Sequence, residues 1–189
     1  DGTVMDLNTA EHIKEAAQVI SQYATIIAVR AFPSLIDKEK DESEYVIKNF
    51  VKYATVPIVN MESATAHPLQ ALADAITIEE LKRTTKPKVV LSWAPHPKAL
   101  PQAVANSFVN MMKELDVEFL ITHPKGYELN PKITKDVTIN YHQEEALLNA
   151  DFVYTKNWSS YHDYGKVLTK DANWMLTKEK IGNANFMHC

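Results

Sequence analysis

Cysteine is nearly absent from this chain: one thiol, Cys189, in 189 residues. That excludes an internal disulfide framework and fits a reducing compartment. Glycine is scarce as well, four residues in all. Neither a P-loop nor a G-x-G-x-x-G turn occurs, which disfavours a glycine-rich nucleotide cradle. The basic residues do not cluster, and net charge is -4 with a pI near 6.0, so there is no nucleic-acid footprint. No apolar run is long enough to span a bilayer and no signal peptide is visible, which makes cytoplasm the expected compartment. The seven histidines are scattered without ligand-type spacing, so no metal is expected. What is present is an ordinary globular mixture, 46% hydrophobic and 23% charged, enough for one large domain or two modest ones.

The most informative stretch runs from Met61 through His67-Pro68-Leu69-Gln70 to Asp74. An apolar strand over 56–61 enters a short polar loop, and a helix begins at Pro68, a residue suited to a first helical position because its missing N–H has no partner there anyway. His67 therefore stands at a helix N-terminus and at the carboxyl end of a strand, where open α/β sheets bind anionic ligands. Gln70, three residues on, can aim at the same small polar group. Glu62 directly follows the buried strand.

The rest of the chain alternates in the same way. Residues 25–29 read as a buried strand ending in Arg30. Residues 41–54 read as a helix with Asp41 as N-cap and Val46, Ile47, Phe50, Val51 and Ala54 on one face. The helix from Pro68 reaches about Thr84, with Leu69, Leu72, Ala73 and Ile76 inward. The stretch 84–88 breaks the pattern. A second series follows: strands over 88–93, 117–121, 137–139, 152–155 and 185–188, and helices over 101–115, 143–149 and 178–181. The 101–115 helix turns Val104, Phe108, Met111 or Met112, and Leu115 inward. Apolar strands alternating with helices imply parallel sheets covered on both faces. The expected fold class is α/β, two doubly wound parallel-sheet (Rossmann-like) domains over 1–84 and 85–189, joined by a bridging helix that starts at Pro68. The start at Asp1-Gly2-Thr3 and the stop after Phe186-Met187-His188 suggest a fragment of a longer chain.

Several further residues sit where strands end. Arg30 offers a fork suited to a phosphate or a polarised carbonyl, or else pairs with a loop carboxylate at the surface. His96 lies in Trp93-Ala94-Pro95-His96-Pro97-Lys98, a second strand-then-His-Pro junction. Asn106 and Ser107 come early in the next helix, facing either a ligand or solvent. His123 ends a strand with no visible partner, and His12, His142 and His162 look superficial. Lys156 could hold a carboxylate or could snorkel. Cys189 is a weak candidate nucleophile, since no Cys/His/acid arrangement accompanies it.

Taken in order, Arg30, His67-Pro68-Leu69-Gln70-Ala71-Leu72-Ala73-Asp74, Val104-Ala105-Asn106-Ser107 and Phe186-Met187-His188-Cys189 resemble the aspartate/ornithine carbamoyltransferase family, whose signature is H-P-x-Q-x-L-A-D. Four motifs in sequence make the resemblance specific and spread it over the whole chain. Within the family the chain resembles the branch acting on N-acylated ornithine, notably the N-succinylornithine enzyme of Bacteroides-type bacteria, through Met61 to Gln70, the 93–98 loop, the 122–129 segment and Lys156-Asn157-Trp158. Ornithine carbamoyltransferases carry an Asp at position 156, paired with the substrate α-ammonium. Acylation removes that charge, and Lys156 suits the remaining carboxylate or acyl oxygens.

The resemblance implies transfer of a carbamoyl group from carbamoyl phosphate to the δ-amine of N-succinyl-L-ornithine, in arginine biosynthesis, by a homotrimer without metal or organic cofactor. Arg30, His67 and Gln70 become the expected catalytic residues. Glu62, His96, Asn106, Lys156 and Cys189 become the expected substrate-binding residues, with Glu62, His96 and Lys156 holding the acylornithine and Cys189 lining the site near the carbamoyl carbon. The family's Ser-Thr-Arg-Thr-Arg phosphate loop does not occur in this chain, nor do the Leu-Pro and C-terminal helix that follow His-Cys, so the fragment alone is expected to be inactive. N-acetylornithine as substrate, or a noncatalytic relative, are the alternatives.

Overall fold

The structure, a computed structural model, describes residues 12–189. The chain start at Asp1-Gly2-Thr3 lies outside the described residues. Helix α1 (Ile13–Ile20) leads into strand β1 (Ile27–Arg30). Helices α2 (Lys38–Glu42) and α3 (Tyr45–Tyr53) precede strand β2 (Ile58–Glu62). Helix α4 (Pro68–Leu81) then carries the chain into a second sheet. The remaining elements are β3 (Lys88–Trp93), α5 (Ala103–Glu114), β4 (Glu118–Thr122), β5 (Thr138–Asn140), α6 (Gln143–Leu147), β6 (Phe152–Lys156), α7 (Lys178–Ile181) and β7 (Asn185–His188).

Every strand pairing among the described residues is parallel. Strands β1 and β2 form one pair, and the second sheet has the order β5-β4-β3-β6-β7. This is the expected α/β class. In the second sheet β3 is central and both of its faces are covered. Val89, Leu91 and Trp93 pack with Phe108, Val109 and Met112 of α5. Val90 packs on the other face with Ala146 and Leu147 of α6. Phe108 stacks on Tyr154 at 4.2 Å between ring centroids. Each such fully buried aromatic or aliphatic side chain contributes roughly 1.5–3 kcal/mol. Val104, Phe108 and Met112 are inward, as expected from their helical spacing.

The first sheet departs from expectation. Burial along β1 alternates, with Ile27 and Val29 inside and Ala28 and Arg30 outside, so among the described residues this strand is covered on one face. The expected helix over 41–54 is two helices. Glu44 adopts a left-handed backbone (φ 55°) and ends the first. Asp37, not Asp41, caps α2, and Val51 faces out. Asp41 instead accepts bonds from Ser34 N, Leu35 N and the Tyr164 hydroxyl. Helix α4 also turns the other way. Ala71, Asp74, Ala75 and Ile78 are buried, whereas Leu69, Leu72, Ala73 and Ile76 are exposed. The inward face is the one that meets α5 and β2, and it is built from small residues that permit close approach.

The sheet order reverses between β3 and β6, since β4 and β5 extend to one side and β7 to the other. Such switch points leave a ligand crevice at the carboxyl ends of the strands. His96 follows β3 there, and β6 ends at Lys156. No helix of the described residues is long and apolar enough to cross a membrane.

Candidate active site

Arg30 owes its setting to an irregularity. The β1–β2 register slips between Val29 and Arg30, so Val29 faces Asn60 but Arg30 faces Glu62. Such bulges re-aim side chains. Here the slip sets the guanidinium against the carboxylate. Arg30 Nε and Nη2 both donate to Glu62 Oε2, at 3.1 and 2.7 Å. The pair therefore realises the carboxylate-pairing alternative, with its acid at the strand end and buried while the arginine side chain stays half exposed.

His67 is the N-cap of α4, with Pro68 at the first helical position. Its Nδ1 accepts from Gln70 N at 3.4 Å, which assigns the ring proton to Nε2. Nε2 lies 3.7 Å from Glu62 Oε2. A capping role and a site-facing role are thus filled by opposite nitrogens of one ring. One helical turn on, Gln70 Nε2 donates to Asp74 Oδ1 at 3.0 Å. Arg30, Glu62, His67, Gln70 and Asp74 form one continuous chain of contacts.

The loop before His67 is braced from three sides. Ser63 N closes it by donating to Ala66 O at 2.8 Å. Glu44 Oε1 accepts from Ser63 Oγ, Thr65 N and Thr65 Oγ1. From α5, Ser107 Oγ accepts the His67 N–H at 2.7 Å and Asn106 Nδ2 donates to Thr65 O at 3.2 Å. Asn106 is therefore buried and bracing, not solvated. A cavity of about 340 Å³ opens beside it, lined in part by Glu42, Thr65, Asn110, Asn130 and Tyr164. Another, about 540 Å³, lies between α6 and α7 and touches none of the residues expected in the site.

His96, Lys156 and Cys189 collect at the carboxyl edge of the five-stranded sheet, after β3, β6 and β7. Among the described residues no hydrogen bond or ion pair joins His96 or Lys156 to Arg30 or His67. The His96 ring bonds its own loop, at Lys98 O and Lys98 N. Glu62, expected beside these residues, belongs with Arg30 and His67 instead. Cys189 is exposed. The hydroxyl of Tyr154, on β6, is buried and without a hydrogen-bond partner among the described residues. Burial first, then the charge of Asp74, pushes the Tyr154 hydroxyl far above its usual range. Burial likewise raises Asp74, against the lowering effect of Gln70, Tyr154 and His67. Tyr154 Oη and Asp74 Oδ2 are both buried, and neither has a hydrogen-bond partner among the described residues.

Sequence reasoning missed Glu44, Asp74 and Tyr154. Asp74 lay inside the quoted signature, and its spacing of four from Gln70 was the available signal. His123 does have partners. It is buried, bonded to Pro124 O at 2.9 Å, and meets Tyr141 and Trp158 edge-on. Burial holds its pKa below the ordinary value, against opposing effects of Pro124 and Glu128. His12, His142 and His162 are exposed, as expected.

Two family models match this chain in succession. The aspartate/ornithine carbamoyltransferase carbamoyl-P binding domain matches residues 2–80, and the Asp/Orn binding domain of the same family matches residues 101–189. The chain belongs to the aspartate/ornithine carbamoyltransferase family. It is 47% identical over 193 residues to N-succinylornithine carbamoyltransferase of Bacteroides fragilis (strain 638R), an alignment covering 100% of this chain and 61% of that protein. It is 33% identical over 212 residues to N-acetylornithine carbamoyltransferase of Xanthomonas campestris pv. campestris, covering 100% of this chain and 62% of the relative. A solved mutant of N-acetyl-L-ornithine transcarbamylase, complexed with carbamyl phosphate and N-succinyl-L-norvaline, superimposes with a TM-score of 0.89. It shares 34% identity, and the match covers 100% of this chain and 64% of that one. The family member described here thus spans a little over three-fifths of the length of these relatives.

Proposed function

We propose that the protein to which this chain belongs transfers the carbamoyl group of carbamoyl phosphate to the δ-amine of N-succinyl-L-ornithine, giving N-succinyl-L-citrulline and phosphate. The observation that carries this reading is the contact chain Arg30–Glu62–His67–Gln70 at the strand ends of the first sheet. The amine lone pair attacks the carbamoyl carbon and the carbon–oxygen bond to phosphate breaks. The departing electron pair and the amine proton go to the phosphate. Charge builds on the carbonyl oxygen on the way. Arg30 Nη1, which the Glu62 bonds leave uncommitted, and His67 Nε2–H are donors suited to that oxygen and to the phosphate. Gln70 orients the carbamoyl amide. Both Arg30 bonds end on Glu62 Oε2, which leaves Oε1 to accept an N–H of the incoming amine. His96 and Lys156 hold the acylornithine, Lys156 by its carboxylate or acyl oxygens, with Asn106 bracing the loop and Cys189 lining the site. Catalysis on this scheme is positioning and electrostatics, with no cofactor.

The 47% identity to the Bacteroides relative, against 33% to the N-acetylornithine one, favours the succinyl substrate. The N-acetyl substrate is the second reading, favoured by the match to solved N-acetyl-L-ornithine transcarbamylases. The proposal extends to a division into a carbamoyl phosphate-binding unit over 1–84 and an acylornithine-binding unit over 85–189. It extends also to a cytoplasmic homotrimer serving arginine biosynthesis. The deciding experiment incubates the full-length gene product with carbamoyl phosphate and, in parallel, N-succinyl-, N-acetyl- and free L-ornithine, and measures phosphate and ureido product. Preference for succinylornithine supports the reading. Preference for acetylornithine keeps the mechanism and changes the acceptor. Turnover of free ornithine alone refutes the argument from Lys156, and no turnover with any acceptor favours a noncatalytic relative.

A further inference from the structure

We propose that Asp74 is a positioning residue that fixes which end of the Gln70 side-chain amide faces the reacting group. This rests on the carbamoyl-transfer reading of the same site. A glutamine amide has an acceptor end and a donor end of nearly the same shape, so its neighbours decide which one a ligand meets. Asp74 stands four residues after Gln70, on the same face of α4. Its Oδ1 accepts the Gln70 Nε2–H at 3.0 Å. That bond commits the nitrogen to Asp74 and presents Gln70 Oε1 outward. An outward carbonyl oxygen matches an N–H donor, the carbamoyl NH2, and repels a phosphate oxygen. The amide therefore discriminates between the two ends of the carbamoyl phosphate molecule.

A buried carboxyl is a costly way to fill a helix face that alanine otherwise occupies, as Ala71 and Ala75 do here. Asp74 is 5% exposed and its Oδ2 has no hydrogen-bond partner among the described residues. The Tyr154 hydroxyl, on β6, is likewise buried and without a partner among the described residues.

The test uses the full-length gene product with Gln side chains labelled by ¹⁵N, Gln70→Leu serving to assign the Gln70 NH2 resonance. Asp74→Leu is expected to move that resonance to the position of a freely exchanging amide, while Asp74→Asn, which keeps the accepting oxygen, leaves it in place. In kinetics, Asp74→Leu is expected to raise the KM for carbamoyl phosphate about tenfold, with the acceptor KM unchanged. Combining it with Gln70→Leu is expected to add nothing to the loss from Gln70→Leu alone. An unmoved Gln70 resonance in a folded Asp74→Leu protein overturns the proposal, as does full additivity with Gln70→Leu. If the wild-type protein turns over no acceptor yet the resonance moves as expected, the functional reading fails and the orientation device stands.

Discussion

Glu62 receives both Arg30 donors on a single oxygen, and His67 Nε2 sits nearby at 3.7 Å. Glu62→Gln keeps the shape but removes the charge that balances the guanidinium. Loss of one charge-assisted contact in the site is expected to lower kcat/KM of the full-length protein at least about tenfold. The melting temperature should hardly change, because Arg30 is half exposed and such pairs contribute little to stability. Steady-state kinetics beside a thermal melt separates the two effects. His123 gives a pH effect with a definite sign. Its unfolded value is near 6.5 and burial lowers the folded one. Between those values the unfolded chain binds a proton that the folded chain refuses. Stability from this group is complete above pH 6.5 and is lost as pH falls through the lower folded value. His123→Gln is expected to flatten the fall of the thermal midpoint below pH 6.5, and an unchanged slope would contradict the assignment.

Helix α4 shows how far element-level reading carries. Its start was legible because His-Pro at a strand end has one obvious geometry, and the structure keeps it. Its facing was not. Leu69, Leu72 and Ile76 look like a core stripe, yet they are 44%, 49% and 49% exposed, and the buried stripe contains an acid. Periodicity reports that a helix has two faces, and the partner surface decides which one is covered. Residues 41–54 failed for a different reason. Glu44 takes a left-handed conformation so that its carboxylate can reach Ser63 and Thr65, a tertiary demand with no local signal. Strand-end positions pointed to Arg30 and His67, and the spacing from His67 pointed to Gln70, whereas Asp74 entered only as the last residue of the signature and Tyr154 only as part of a strand. Two outcomes follow for α4. Ile78→Ala, at a fully buried position, is expected to cost about 2–5 kcal/mol in denaturant unfolding. Leu72→Lys is expected to change the stability of this chain by less than about 0.5 kcal/mol.

At the scale of the molecule, the segments following β1 and β6, helix α2 included, fasten to each other. Lys38 Nζ donates to Tyr161 O at 2.8 Å and lies over the Tyr161 ring, and the Tyr164 hydroxyl donates to Asp41 Oδ2 at 2.9 Å. Burial pushes the Asp41 carboxyl up, but the bonds from Ser34, Tyr164 and Leu35 outweigh it and hold it below its ordinary value. At the centre of this fastening Gly165 (φ +71°) lies so close to Leu35 that an added Cβ would stand 2.0 Å from the Leu35 carbonyl oxygen. Gly165→Ala is expected to force the loops apart, costing about 1–3 kcal/mol and opening the 160–170 segment to protease, which limited digestion would reveal. The strand order has a consequence in time. Central strand β3 is made of residues 88–93, yet its two neighbours begin at residues 118 and 152. A ribosome delivers the chain from its amino end, so β1 and β2 can close while β3 still has one bare edge. That edge stays open through the synthesis of some sixty further residues, an interval in which an unpaired apolar strand is exposed to wrong partners. The crevice between His96 and Lys156 is accordingly among the last parts of the fold to come into being.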